Sequence, residues 1–286
     1  MPRLPAALLV ALSVAGCAHG HPRVVHESGS SFDRVVVTEE RPGLRTLRFE
    51  PGDTVQSQVR LGRPLDLQLD YTQAAMAALA LVEAPKRILL VGLGGGAMPM
   101  FLRATHPDAT IDVVEIDPNV IRVARRYFDF REDDRLRATA ADGRAFVERS
   151  AGGYDLVFLD AYGPSEIPLH LATLEFLELV RDRLAPGGVV VGNVFGAAIN
   201  PLFGPMHRTY AAAFDELCAI NVPPSLNWIF LGRREGPASI DAELEAKGAG
   251  LTARFGLPFE LRPYVERGCL PVEESGELLR DGARRP

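Results

Sequence analysis

From Arg87 to Phe195 the chain alternates between short, unbroken apolar runs and stretches whose apolar residues recur at helical spacing. RILLVG (87–92) is followed by a helical pattern near 97–105. IDVVE (111–115) leads into a helix over 118–127. A short strand near 136–139 precedes a helix at 143–149, and DLVFLD (155–160) is followed by a helix near 171–184. GVVVGNVF (188–195) follows a Pro186-Gly187-Gly188 turn. Apolar runs without strand-like alternation, separated by amphipathic helices, predict a parallel, doubly wound sheet buried on both faces. Further on, the pattern gives a helix near 203–219, a strand over 227–232 and a helix near 239–248.

Upstream, FDRVVVTEE, LRTLRFE and VQSQVRL alternate with turn signals at Arg41-Pro42-Gly43 and Pro51-Gly52-Asp53. They predict a small antiparallel sheet within 32–69. The run after Asp70 reads as a helix, with Asp70 as N-cap and Gln73 three residues on completing a capping box. The α/β domain is expected over 70–235 and a helical or irregular extension over 236–286.

The first 17 residues, MPRLPAALLVALSVAGC, place a basic Arg3 before an apolar run and small residues before a cysteine, the pattern of a secretory signal. Val14-Ala15-Gly16-Cys17 resembles a bacterial lipobox. That implies cleavage before Cys17, its acylation and a lipid anchor to an envelope membrane. Ala18 suggests the outer membrane, facing the periplasm. The apolar run is shorter than the roughly 18 residues a membrane span needs. Residues 18–31, polar and rich in Ser, Gly and His, read as a tether. An oxidising compartment would permit a Cys218–Cys269 bridge, but Cys218 lies in the helix-like run MHRTYAAAFDELCAI and reads as a buried small hydrophobe.

Thirty-one basic residues against 37 acidic ones give a net charge of −6, and no basic run is interleaved with aromatics, so nucleic acid is not an expected partner. The six histidines show no i, i+4 helical spacing, and no metal site is expected.

The candidate chemistry sits where strands end. Gly92, Gly94 and Gly96 form a tight turn between a strand and a helix start, a pattern shared by several nucleotide-binding folds. Glu115 ends the next strand, where a carboxylate can accept ribose hydroxyls. Asp117, just before Pro118, reads as an N-cap. Asp142-Gly143 follows a third strand; Asp142 can take an adenine amino group, cap a helix, or do both, while the Gly143 N–H meets the ring. Asp160 closes the apolar DLVFLD at the carboxyl edge of the sheet, a poor place for core packing and a good one for catalysis.

Taken together, GLGGG, VEIDPNVIRVARRYF, ADGRAFVE, YDLVFLDAYGP, the Leu171 to Phe176 run and LAPGGVVV resemble the polyamine aminopropyltransferases, of which spermidine synthase is the familiar member. The likeness covers roughly residues 32–235. It is nearest to bacterial spermidine-synthase-like proteins, which share the GLGGG turn and a Gln-Ser pair like Gln56-Ser57. The resemblance implies a seven-stranded S-adenosyl-methyltransferase-like domain. It also implies that Gln56 contacts the cofactor tail, Glu115 the ribose and Asp142 the adenine, with Asp160 as catalytic carboxylate and Tyr71 and Tyr162 on the substrate side. The implied cofactor is decarboxylated S-adenosylmethionine, and the implied partner is a polyamine or other amine. Assembly through the N-terminal sheet into a dimer or tetramer is implied as well.

The chain departs from the family pattern at three positions. Gly95 stands where the glycine loop usually carries an acid, and Gly163 where the Asp-x-x-Asp motif has its second acid. Tyr71-Thr72-Gln73-Ala74 replaces Tyr-(His or Gln)-Glu-Met. These departures leave two rivals beside aminopropyl transfer: a methyltransferase using S-adenosylmethionine, and an envelope lipoprotein that binds a nucleoside or polyamine without turnover. An NAD-dependent oxidoreductase fits less well, because nothing marks a hydride-transfer site.

Overall fold

The computed structural model describes residues 22–32, 34–50, 54–161, 168–272 and 275–282. Cys17, Tyr162 and Gly163 lie outside them. Two sheets organise the chain. The first is antiparallel, in the order β1 (Arg23–Gly29), β2 (Arg34–Arg41), β3 (Leu44–Glu50) and β4 (Val55–Arg60). The second has seven strands: β5 (Arg87–Val91), β6 (Thr110–Glu115), β7 (Leu136–Ala140), β8 (Tyr154–Leu159), β9 (Leu184–Phe195), β10 (Glu216–Val222) and β11 (Asn227–Arg233). Its spatial order is β10-β11-β9-β8-β5-β6-β7. Strands β5 to β9 pair in parallel, and β11 runs antiparallel to both β9 and β10.

The unbroken apolar runs follow from burial on both faces. Successive side chains of β5 point to opposite sides of the sheet. Ile88 and Leu90 enter one core layer with Phe101, Ile111 and Phe158, and Leu89 and Val91 enter the other with Val157, Phe176 and Val190. The helices covering these layers are α1 (Asp70–Ala75), α2 (Ala97–Thr105), α3 (Pro118–Tyr127), α4 (Gly143–Arg149), α5 (Leu174–Arg183) and α6 (Phe203–Ala213). After β11 come α7 (Ile240–Lys247), α8 (Leu251–Phe255) and α9 (Arg262–Val265). Among the described residues no helix is long and apolar enough to cross a membrane.

The small sheet packs on the edge of the domain, where Val35, Val37 and Leu47 meet Val120, Val123 and Phe128. It has one strand more than the sequence pattern gives. Residues expected as a tether form β1, an edge strand paired with β2. Its polar side chains are held from outside: His26 stacks on Tyr127 at 4.5 Å, and the Asn119 amide donates to Ser28 Oγ at 2.9 Å. Composition hides such a strand because its stabilising partners lie some 90 residues away in sequence.

Two further expectations are corrected. Asp70 does not cap α1: Leu69 occupies the N-cap position without a side-chain cap bond, and Gln73 Nε2 donates instead to the Leu67 carbonyl at 2.7 Å. The helix also tightens into a 3₁₀ turn over Met76–Ala80, where every residue is buried. Likewise, α6 ends at Ala213, and Cys218 sits in β10 opposite Leu231. The C-terminal chain runs back along that strand, with the Leu270 N–H donating to the Ala219 carbonyl at 2.9 Å. This brings Cys269 within a Cα–Cα distance of 4.8 Å of Cys218, and the two form a disulfide.

The C-terminal extension is fastened by a buried ion cluster. Arg233, 1% exposed, donates to Glu216 and Glu243, each at 2.8 Å, and to the Ala238 carbonyl. Removing one member of a buried ion pair leaves a charge with neither water nor partner, at a cost of about 3–5 kcal/mol. Arg233→Ala is therefore expected to lower the unfolding free energy by about that amount, measured by urea denaturation. A loss below 1 kcal/mol would show that the cluster is solvated.

Candidate active site

Strands β5 and β8 lie side by side at the point where strand order reverses, so their carboxyl ends open a crevice between diverging connections. Gly92 follows β5 with φ +104°, and a Cβ there would lie 2.2 Å from the Asp160 carbonyl oxygen. Only glycine allows this approach. The Asp160 N–H donates to the Val91 carbonyl at 2.9 Å, so the Asp160 side chain begins where the glycine turn begins.

The crevice is a cavity of about 500 Å³. It brings together Gln56, Tyr71, Gly92, Gly94, Glu115, Asp142, Gly143 and Asp160 from the sequence expectations. Gly96 is not among the lining residues; it caps α2 and packs against Phe130. The N-terminal sheet forms part of the roof through Phe49 and Gln56, and the 3₁₀ turn at Leu169–Leu171 contributes His170 and Leu171.

Glu115 is positioned by backbone. The Leu93 and Asp117 N–H groups each donate to one of its oxygens at 3.0 Å, leaving the outward lone pairs free for hydroxyl donors. Burial raises its carboxyl above the ordinary range, and those two N–H groups pull it back toward ionisation. Asp117 caps α3, accepting from the Asn119 N–H at 2.7 Å. Asp142 caps α4, accepting from the Ala145 N–H at 2.9 Å, and its other oxygen meets His170 Nε2 at 2.7 Å. Burial alone would raise the Asp142 carboxyl, yet the Ala145 N–H and the His170 ring hold it below its usual value. Gly143 lets α4 close on β5, since a Cβ would stand 2.6 Å from Val91.

Asp160 has the most altered environment of the cavity carboxylates. Burial raises its pKa to about 7, and the negative Glu115 adds to the rise. The Asn193 and Tyr71 side chains act against it by donating to the carboxylate. Asn193 Nδ2 lies 2.8 Å from one oxygen and the Tyr71 hydroxyl 3.4 Å from the other. Burial, with Asp160 beside it, keeps Tyr71 protonated as a donor. Asn193 is itself oriented by Asn227 Nδ2, which donates to its carbonyl oxygen at 2.8 Å. This Asn227-Asn193-Asp160 chain escaped the sequence reading, although an asparagine inside the apolar GVVVGNVF was a visible signal: a buried polar group requires a partner.

Gly95 has a packing reason to lack a side chain. A Cβ there would come within 2.9 Å of both the Phe128 ring and Ser57 Oγ. Among the described residues no group of three or more His, Cys, Asp or Glu could hold a metal ion.

Comparison with known proteins places this geometry. Residues 71–195 match the spermine/spermidine synthase domain. A polyamine aminopropyltransferase of Vibrio vulnificus is 33% identical over 273 residues, covering 92% of this chain and 90% of that protein. The chain belongs to the polyamine aminopropyltransferase family. The fold is shared with a probable spermidine synthase from Corynebacterium glutamicum, with a TM-score of 0.71, 20% identity, and coverage of 91% of this chain and 97% of that one. It is also shared with human methyltransferase-like protein 13 in complex with SAH, at TM-score 0.60, 27% identity, and coverage of 67% and 95%.

Because the Asn193 amide stabilises the ionised carboxyl more than the neutral one, removing it is expected to raise the Asp160 pKa. Asn193→Ala is expected to move the acidic limb of the kcat/KM profile upward from about 7 by roughly one unit, the equivalent of one charge-assisted hydrogen bond. An unmoved limb would separate Asn193 from the titration of Asp160.

Proposed function

We propose that the protein transfers an aminopropyl group from decarboxylated S-adenosylmethionine to an amine acceptor. The observation that carries this is a carboxylate poised near neutrality, Asp160, backbone to backbone with the glycine turn of a nucleoside cradle. The cradle suits such a nucleoside. Glu115 keeps free lone pairs for two ribose hydroxyls, and Ile116, an apolar side chain left 45% exposed, and Leu171 line the cavity where a flat ring would stack. Asp142 stands beside them for an exocyclic amino group.

When bound, the sulfonium compound supplies an activated propyl carbon and a neutral leaving group. Asp160 takes the proton from the acceptor's ammonium group. The freed nitrogen pair forms the new C–N bond as the C–S pair departs with sulfur, giving methylthioadenosine. Tyr71 and Asn193, one on each oxygen, hold the carboxylate at the cavity wall. Gln56, which lines the same cavity, is assigned to the cofactor tail by the family resemblance.

In the test, the purified protein is mixed with decarboxylated S-adenosylmethionine and polyamine acceptors, and methylthioadenosine release is followed. Release is expected to rise with pH through an inflection near 7, as Asp160 becomes the carboxylate. Asp160→Asn should lower kcat by about 10²- to 10⁴-fold and abolish that inflection. Glu115→Ala should chiefly weaken methylthioadenosine binding. Activity of Asp160→Asn close to wild type would remove the base assignment, and turnover of S-adenosylmethionine in place of the decarboxylated compound would move the protein to methyl transfer.

We further propose that the chain is exported and held on a bacterial envelope membrane, facing the periplasm, through acylated Cys17. The leader pattern supports this, as does the Cys218–Cys269 bridge, since such bridges persist mainly in oxidising compartments. Cys17→Ser is expected to abolish incorporation of labelled palmitate and to move the protein from the membrane to the soluble fraction. Label retained in that variant would exclude the anchor.

A further inference from the structure

The two ends of the small sheet differ in chemistry. Across one end Arg23, Glu39, Arg45 and Val59 stand in register on the four strands, and Arg41, Leu44 and Arg60 form the next row outward. The Leu61 N–H donates to the Gly43 carbonyl at 2.8 Å, which draws the loop carrying Arg63 up to the β2–β3 turn. The end of α3 joins the same place. Arg45 donates to the Tyr127 carbonyl at 2.7 Å, and Asp129 accepts from the Gly62 N–H at 3.0 Å, so Arg126 and Arg131 flank the row. A chain of net charge −6 thus gathers seven arginines at one end of a small sheet.

Two of them are neutralised: Arg23 pairs with Glu39 at 2.7 Å and Arg60 with Asp66 at 3.0 Å. Others are open. Arg41 and Arg63 are exposed and have no ion pair among the described residues. Arg126 rests over the Tyr127 ring, and Arg131, 81% exposed, reaches Asp129 only at 3.9 Å. The opposite end of the sheet belongs to the crevice, whose lining includes Phe32, Phe49, Thr54 and Val55. The eight residues of β2 set the two ends roughly 23 Å apart.

We infer that the arginine-bearing end is the face this protein lays on an anionic lipid surface, which turns the crevice toward the aqueous side. The inference rests on the reading of Cys17 as an acylated anchor. Because β1 takes up residues 23–29, only residues 18–22 separate Cys17 from Arg23, a span of roughly 20 Å when fully extended. Arg60 on β4 lies three strand spacings from β1, about 14 Å. A bilayer held that close to Arg23 is within reach of the whole row. Charge complements the geometry, since exposed guanidinium groups are attracted to anionic headgroups and pair with their phosphates. A recess of about 340 Å³ beside the row, bordered by Arg60, Arg63 and Arg131 and lined by Leu67, Met100 and Phe128, can admit a headgroup phosphate with its glycerol. Next to Arg23, the apolar Val24 is left 56% exposed, where it can meet the acyl boundary. A second copy of this chain is a poorer occupant, because matching faces would set arginines against arginines.

The test is cosedimentation of the full chain carrying Cys17→Ser, which removes the acyl chains, with two kinds of vesicle: phosphatidylcholine alone, and equal parts of phosphatidylcholine and phosphatidylglycerol. The neutral vesicles report whatever the leader contributes. Partition onto the anionic vesicles is expected to exceed that level, and to fall back to it near about 1 M salt, where the screening length is roughly 3 Å. Arg41→Gln combined with Arg63→Gln should lower the anionic partition by about fivefold for each arginine removed. The control pair Arg149→Gln with Arg234→Gln, which removes the same charge from exposed positions outside the small sheet, should change it by less than about twofold. An equal loss in both pairs, or no preference for anionic vesicles, overturns the proposal. If the first pair fails to fold, Arg126→Gln with Arg131→Gln is read in the same way. For the native acylated protein, methylthioadenosine affinity on anionic vesicles should match that in detergent within about twofold, and a loss beyond about tenfold would show the crevice facing the bilayer and overturn the orientation. A native chain without palmitate, but with arginine-dependent partition intact, would discard the anchor and keep the lipid-facing surface.

Discussion

Two parallel strands meet a tight constraint at the centre of this molecule: the backbone of Gly92, leaving β5, touches the backbone of Asp160, leaving β8. A single methyl group at Gly92 would occupy the space of the Asp160 carbonyl. The consequence reaches well beyond one turn. The contact lets the glycine loop bend across the top of the sheet, which aims the Leu93 N–H at Glu115 and fixes that carboxylate at the end of β6. It also sets the Asp160 side chain beside the cradle, at a distance decided by backbone rather than by flexible side chains. Sites built on rigid elements hold their geometry in this way.

The same arrangement creates an electrostatic problem whose solution suits a cationic reaction. Several carboxylates face one crevice, where low polarity strengthens their mutual repulsion. Backbone N–H groups at the sheet edge and helix starts donate to Glu115, Asp117 and Asp142, and with His170 they hold Asp142 below its usual value. Asp160 receives two side-chain donors but no charge of opposite sign, so burial and Glu115 prevail and its proton is held until near neutrality. A group in that condition is a competent proton acceptor from an ammonium ion, whereas a fully stabilised carboxylate would be a weak one.

Much of this was legible in the sequence, because the informative residues are locally encoded. The apolar runs gave the buried strands, the Asp117-Pro118 pair gave a helix start, and the strand-end acids marked the carboxyl edge of the sheet. The missed features all depend on distant partners. Strand β1 pairs with β2, but it is largely polar and its side chains are held by the distant Asn119 and Tyr127. Cys218 looked helical because Ala211 to Ala213 prolong the helical pattern up to the turn before β10, and its partner Cys269 is 51 residues away. Asp70 satisfied a capping motif on paper, yet the chain enters α1 with Leu69 at the cap, and Gln73 turns to the Leu67 carbonyl.

The glycine at position 95 shows how one departure from the family pattern is tied to packing. Ser57 of β4 and Phe128 at the end of α3 press on that residue, and a Cβ there would stand 2.9 Å from the side chain of each. The sheet is held close by the packing of Val35, Val37 and Leu47 on Val120, Val123 and Phe128. A side chain at this position therefore requires the Phe128 ring and the Ser57 hydroxyl to shift, so the present packing favours a bare backbone there. The docking of the N-terminal sheet and the bare backbone at position 95 are thus two sides of one packing solution.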